Sequence, residues 1–168
     1  AMRQARRAID DLGKRGEISL IYAGGIRNGA DVAKAIALGA DAIALGHSVM
    51  MAMNCNKDIE EADFPNEIGA EPGYCYHCHT GRCPVGIATQ DPALRKRLDP
   101  DEAAERVYNF LHTLTIEAQL FARACGKTHL HSLEPEDLAA LTMEASAMAG
   151  VPLAGTNHTV GVEDYHKL

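Results

Sequence analysis

The chain has 168 residues, enough for a domain with a real core, and 46% of them are hydrophobic. Trp is absent and Phe occurs three times, so Ala, Leu, Ile and Gly supply the apolar share, as suits helices packed closely on a parallel sheet. A formal net charge of −7 argues against a nucleic-acid partner, and no apolar run reaches the roughly 18 residues needed to cross a bilayer.

In chain order, residues 2–13 read as a basic amphipathic helix closed by Gly13. Glu17–Tyr22 reads as a short strand running into Ala23-Gly24-Gly25. Asn28 is placed to cap a helix over Ala30–Leu38, which Gly39 stops. Asp41–Leu45 is a second strand, followed by Gly46 and the apolar stretch His47–Met53. Strand, helix and strand within about 30 residues make a βαβ unit, hence a piece of parallel sheet. Residues 56–73 lose this patterning, with six acidic residues, one Lys, two Pro and two Gly, and read as a solvated loop or insertion.

The cysteine-rich turn Tyr74–Pro84 comes next, and Asp91-Pro92 then opens a short basic helix. Asp99-Pro100-Asp101-Glu102 is a strong helix start. Apolar residues at 103, 107, 111, 114, 118 and 121 predict one buried face on a helix ending near Gly126. A last helix is expected from Glu134-Pro135 to Gly150, with Pro152 beyond it.

Two features carry chemistry. Each strand ends in a glycine turn, where backbone N–H groups can approach an anion. Gly24, Gly25, Arg27, Gly46 and His47 are therefore candidates for a phosphate site, of the kind built by the last two loops of a (β/α)8 barrel. Ordinary tight turns are the alternative. The second feature is Cys75-Tyr-His-Cys78-His-Thr-Gly-Arg-Cys83-Pro84, a C-x2-C followed by a C-x4-C, with Cys55 upstream. Cys55, Cys75, Cys78 and Cys83 form a candidate thiolate set for an iron–sulfur cluster. Zinc, helped by His77 or His79, is the rival reading. An odd count of five cysteines and no apparent leader disfavour disulfides and lead us to expect a soluble, cytoplasmic protein. Cys125, at the end of a helical pattern, reads as a small buried apolar residue.

The run Cys78-His-Thr-Gly-Arg-Cys83-Pro-Val-Gly-Ile-Ala-Thr-Gln-Asp-Pro92 resembles the iron–sulfur segment of the glutamate synthase large-subunit family. Tyr22–Gly46 resembles the FMN-phosphate end of the same family's barrel. The resemblance implies an α/β fold, the C-terminal portion of a (β/α)8 TIM barrel followed by a cysteine-rich loop and C-terminal helices. It divides the chain into the last βα units (1–54), an acidic insertion with the cluster loop (55–98) and a helical segment (99–168). It also implies an oxidoreductase acting on CH–NH2 donors, making glutamate from 2-oxoglutarate and glutamine nitrogen. Gly24, Gly25 and Gly46 would lie at the FMN phosphate, and Cys55, Cys78 and Cys83 match the family's cluster ligands.

This sequence departs from the family in two places. An acidic insertion separates Cys55 from Cys78, and Cys75 is an additional thiol, so a 4Fe-4S cluster is open beside the family's 3Fe-4S cluster. In the tail, residues 122–131, 133–138 and 151–155 resemble a branch of stand-alone subunits. That branch includes the large subunit of methylamine–glutamate N-methyltransferase, which makes N-methylglutamate. Expected partners are an upstream barrel segment or subunit, an amidotransferase or other glutamate synthase-type subunit, and a small-molecule substrate. A non-catalytic electron-transfer or assembly module is a third reading. No catalytic residue is assigned, because a barrel's active site draws on the ends of most of its strands.

Overall fold

A computed structural model describes residues 1–55 and 75–161. The expected loop over 56–73 lies outside the described residues. The elements are α1 (Met2–Asp11), β1 (Ile21–Ala23), α2 (Gly29–Ala37), β2 (Ala42–Ala44), α3 (His47–Ala52), α4 (Pro92–Arg95), α5 (Pro100–Ala124) and α6 (Met143–Ala149). Short 3-10 turns lie at His77–His79, Leu130–Ser132 and Pro135–Asp137. The chain divides into two compact units, residues 1–45 with 113–168, and residues 46–112.

In the first unit the βαβ reading holds: β1 and β2 pair in parallel, with Ile21 opposite Ala42 and Ala23 opposite Ala44. The first strand is shorter than expected, because residues 17–20 do not join the ladder. Instead, Arg15 and Ile18 make an isolated bridge across a turn. The Leu20 N–H donates to the Asp41 carboxylate at 2.7 Å, and the Leu20 carbonyl accepts from the Asp41 and Ala42 N–H groups. A side chain thus performs the pairing that a further strand residue would have made.

The same carboxylate accepts from the Arg6 guanidinium at 2.5 Å, while Arg6 also donates twice to the Gly39 carbonyl. Arg6 is buried at 6% exposure, so these partners are what make its charge tolerable there. The Asp41 carbonyl meets His131 Nε2 at 2.9 Å. One residue therefore links α1, both strands and the distant Leu130–Ser132 turn.

Helix α2 starts where Asn28 predicts: the Asn28 side chain accepts the Asp31 N–H. Its small residues are nearly all buried, and its first turn presses onto α5. A Cβ on Gly29 would meet the Ala118 backbone nitrogen, and would lie 2.7 Å from the Leu114 carbonyl. The Gly29 N–H donates to the Glu117 carboxylate at 2.6 Å. On this part of α5 the buried stripe is Leu114, Ala118 and Ala122. Leu111 and Phe121, expected on it, are exposed. The i, i+4, i+8 row of one leucine and two alanines accepts α2, while Leu111 and Phe121 beside it turn outward.

The expected helix from Glu134 to Gly150 is two elements. A 3-10 turn at Pro135–Asp137 gives way to extended chain, in which Ala140 bridges Leu153. Thr142 then starts α6 afresh by accepting the Ala145 N–H. Gly150, in the left-handed conformation, closes it. Ser146 is wholly buried and fully used, donating to the Val151 carbonyl and accepting the Val160 N–H.

Two consequences can be measured. Gly29→Ala should destabilise the protein by about 1–3 kcal/mol in urea titrations, because the backbone of α5 blocks the new methyl group. An unchanged midpoint would contradict the close approach. The Leu20 N–H and the Arg6 guanidinium hold the Asp41 carboxyl below its ordinary range, against a smaller opposing effect of desolvation. A depressed carboxylate stabilises fully above its unfolded value of about 3.9 and loses that contribution as pH falls through the folded value. Asp41→Asn should therefore lower stability at neutral pH and flatten the acid limb of the stability curve below about pH 4.

Candidate thiolate site and glycine turns

In the second unit the chain from Cys75 to Leu98 builds the cysteine loop upon a small platform. His77–His79 forms a 3-10 turn, so Cys78 sits within one tight coil. Gly81 (φ +74°) then reverses the chain toward Cys83. Cys83 and Val85 are buried, and the Pro84 carbonyl accepts from Arg97 at 3.0 Å. Gly86 (φ +83°) lies against the backbone of residues 94–98, where a Cβ would sit 3.1 Å from the Leu98 nitrogen. The Asp91 carboxylate caps α4 by accepting the Ala93 and Leu94 N–H groups, as its sequence predicts.

All five cysteines are free thiols. Cys83 is buried, Cys55 and Cys75 are half-buried, and Cys78 and Cys125 are exposed. Cys125 is thus not the buried apolar residue expected of it. It lies just past the end of α5, beyond the stripe that packs inward. Burial pushes the Cys55 thiol up, and the neighbouring Cys78, Cys83 and Cys75 thiols push it further. Cys55 therefore senses all three cysteines of the loop. Among the described residues no three Cys, His, Asp or Glu side chains converge closely enough to enclose a metal ion as they stand. The four thiols share a neighbourhood without being drawn onto one centre. Four soft sulfur donors around a glycine turn fit a thiolate-held iron–sulfur group in kind. His77 is held locally, its Nδ1 lying 3.4 Å from the Thr80 hydroxyl.

Ala23 and Ala44 are register partners, so the chain leaves both strands at the same edge of the sheet. Gly24 (φ +109°) and Gly25 (φ +70°) hold conformations that side chains disfavour, and a Cβ on either would meet open space. Arg27 is exposed but not free, since its Nε donates to Asp31 at 3.1 Å. Gly46 precedes α3 and likewise has open space where a Cβ would stand, and His47 is exposed. Sequence reasoning missed Ser48, whose buried hydroxyl has no hydrogen-bond partner. Its signal in the sequence was only its place two residues after Gly46.

Thiol reactivity tests this arrangement in metal-free protein. Alkylation at about pH 8 should modify Cys78 and Cys125 first, Cys55 slowly because its thiolate is suppressed, and Cys83 last. Time-resolved peptide mass spectrometry reads the order directly. Labelling of Cys83 at the rate of Cys125 would contradict its burial.

A family model described as the conserved region in glutamate synthase matches residues 1–60 and 67–128. The glutamate synthase large subunit-like protein of Rhizobium meliloti is 54% identical over 156 residues, 93% of this chain and 35% of that protein. The archaeal glutamate synthase (NADPH) of Methanocaldococcus jannaschii is 44% identical over 121 residues, 72% of this chain and 20% of its own length. The archaeal-type glutamate synthase (NADPH) of Dehalococcoides mccartyi is 36% identical over 147 residues, 85% of this chain and 26% of its own. The chain thus spans between a fifth and about a third of these curated relatives. With most of its length matched by the family model, this α/β chain belongs to the glutamate synthase family.

Proposed function

We propose that this chain is the C-terminal portion of a glutamate synthase-like oxidoreductase that binds FMN and an iron–sulfur cluster and makes glutamate from 2-oxoglutarate and glutamine-derived nitrogen. The observation that carries the reading is the spacing of Cys75, Cys78 and Cys83, with Cys55 upstream, in a chain of this family. In this reading residues 1–54 are the last βα units of a (β/α)8 barrel, residues 55–98 hold the cluster and residues 99–168 are a helical extension. When bound, FMN and the cluster supply electron transfer in two-electron and one-electron steps.

The chain's own residues are assigned supporting tasks. Cys78 and Cys83 present thiolates from the two ends of one turn, and Cys55 and Cys75 supply the others. A set of three thiolates corresponds to a 3Fe-4S cluster, and four permit 4Fe-4S. By the family resemblance, Gly24, Gly25, Gly46 and His47 are assigned to the flavin phosphate. Arg27, paired with Asp31, orders the turn after Gly24 and Gly25 and adds positive charge near it.

The sheet supports the barrel reading. Ile21, Ala23, Ala42 and Ala44 lie exposed on one face of the two strands, whereas Tyr22 and Ile43 are half-buried on the other. Parallel sheets are covered on both faces and tolerate bare edges poorly. We therefore propose an upstream segment or subunit as the partner that covers this face and completes a barrel of about 250 residues. An amidotransferase or related subunit supplying nitrogen is the second proposed partner. Among the described residues no helix is long and apolar enough to cross a membrane. A soluble, cytoplasmic enzyme remains part of the proposal.

The second reading, N-methylglutamate formation from methylamine and glutamate, rests on the resemblance of residues 122–131, 133–138 and 151–155 to the N-methyltransferase branch. The full-length protein, purified without oxygen, decides between the readings. We expect iron and acid-labile sulfide in near-equal amounts, stoichiometric FMN, and, with an external reductant supplied, glutamate formation from 2-oxoglutarate with glutamine as nitrogen donor. Turnover of methylamine in its place establishes the second reading. Zinc without sulfide, or absence of flavin, overturns both and leaves a non-catalytic module. Cys75→Ser should convert the cluster and alter its EPR signal if four thiolates hold it. An unchanged spectrum would assign the three-thiolate form.

A further inference from the structure

Thr89 is a buried polar residue, 8% exposed, and its hydroxyl is used in both directions. It donates to the Gly81 carbonyl, in the middle of the stretch between Cys78 and Cys83, and accepts the Asp91 N–H at 3.1 Å. Asp91 in turn caps α4, whose backbone, with the residues after it, holds Gly86 in close contact. Within the turn, Thr80 makes only near-neighbour bonds, donating to the His77 carbonyl and accepting the Arg82 N–H. Thr89 reaches the turn from outside it and ties it to the platform under Cys83.

The two thiols flanking Gly81 differ sharply in anchorage. Cys83 is buried on that platform, and Cys78 is exposed on the far side of a flexible glycine. A turn able to swing at Gly81 would hold one thiol and lose the other. A hydroxyl bound to the Gly81 carbonyl removes that freedom before any cofactor arrives. Resting on the cluster reading above, we propose that Thr89 is a positioning residue for the iron–sulfur cluster, fixing the Gly81 turn so that Cys78 and Cys83 are presented together. Residues that orient a metal's ligands in this way typically alter its retention 10–100-fold when replaced.

The test uses the full-length protein with its cluster, as wild type, Thr89→Val and Thr89→Ser. Iron and sulfide content, the EPR spectrum and the rate of iron release to a chelator are measured, with the thermal midpoint of each metal-free form as a folding control. We expect Thr89→Val to release iron at least about tenfold faster, with a broadened EPR signal, and Thr89→Ser to behave as wild type. Release from Thr89→Val at the wild-type rate overturns the role of Thr89 and leaves the cluster reading standing. A wild-type protein without iron and sulfide overturns the cluster reading itself. Should Thr89→Val fail to fold, Thr89→Ser still decides. Wild-type release supports the hydroxyl bond, and release tenfold faster from a folded Thr89→Ser overturns it.

Discussion

The clasp between Arg6 and Asp41 does for the first unit what a larger sheet would otherwise do. Two three-residue parallel strands share few ladder bonds, and parallel pairing is the weaker kind. Asp41 makes up the deficit at the foot of the ladder, taking the Leu20 N–H and the Arg6 guanidinium on one carboxylate. Arg6 then satisfies the Gly39 carbonyl, where α2 has ended and left acceptors unpaired. A buried guanidinium without these partners would be costly, so each group stabilises the placement of the others. The His131 contact to the Asp41 carbonyl brings the chain beyond α5 to the same point.

Small residues supply the second constraint. Gly29 and the Leu114, Ala118 and Ala122 row let α2 and the end of α5 approach until backbone meets backbone. That closeness gives Glu117 its bond to the Gly29 N–H, which would otherwise be an orphan donor at a helix start. Sequence patterning correctly marked an apolar face on α5 but overestimated its width. Leu111 and Phe121 fit the periodicity, yet the narrow contact needs only the alanine row.

The second unit follows a different logic, that of a loop held by its own backbone. Gly86, Thr89 and Arg97 each engage main-chain atoms, so the platform beneath Cys83 needs little apolar core. Burial pushes the Cys55 thiol up, and the thiols of Cys78, Cys83 and Cys75 add to that push.

Local signals were sufficient wherever a short-range bond settles the structure. The Asn28, Asp91 and Asp99 caps were legible because each depends on residues a few positions apart, and the parallel βαβ unit because its parts follow one another along the chain. The family itself was legible in Cys78–Pro92 and Tyr22–Gly46. Long-range partners decided the rest. The first strand is short because Leu20 bonds to a carboxylate 21 residues away. The predicted last helix is broken because Ala140 finds Leu153 and Thr142 restarts the helix. Cys125 is exposed because the buried row of α5 passes through Ala122 instead. Only the tertiary structure singled out Thr89. A hydroxyl acquires meaning from which buried group it meets or fails to meet, and no local pattern encodes that.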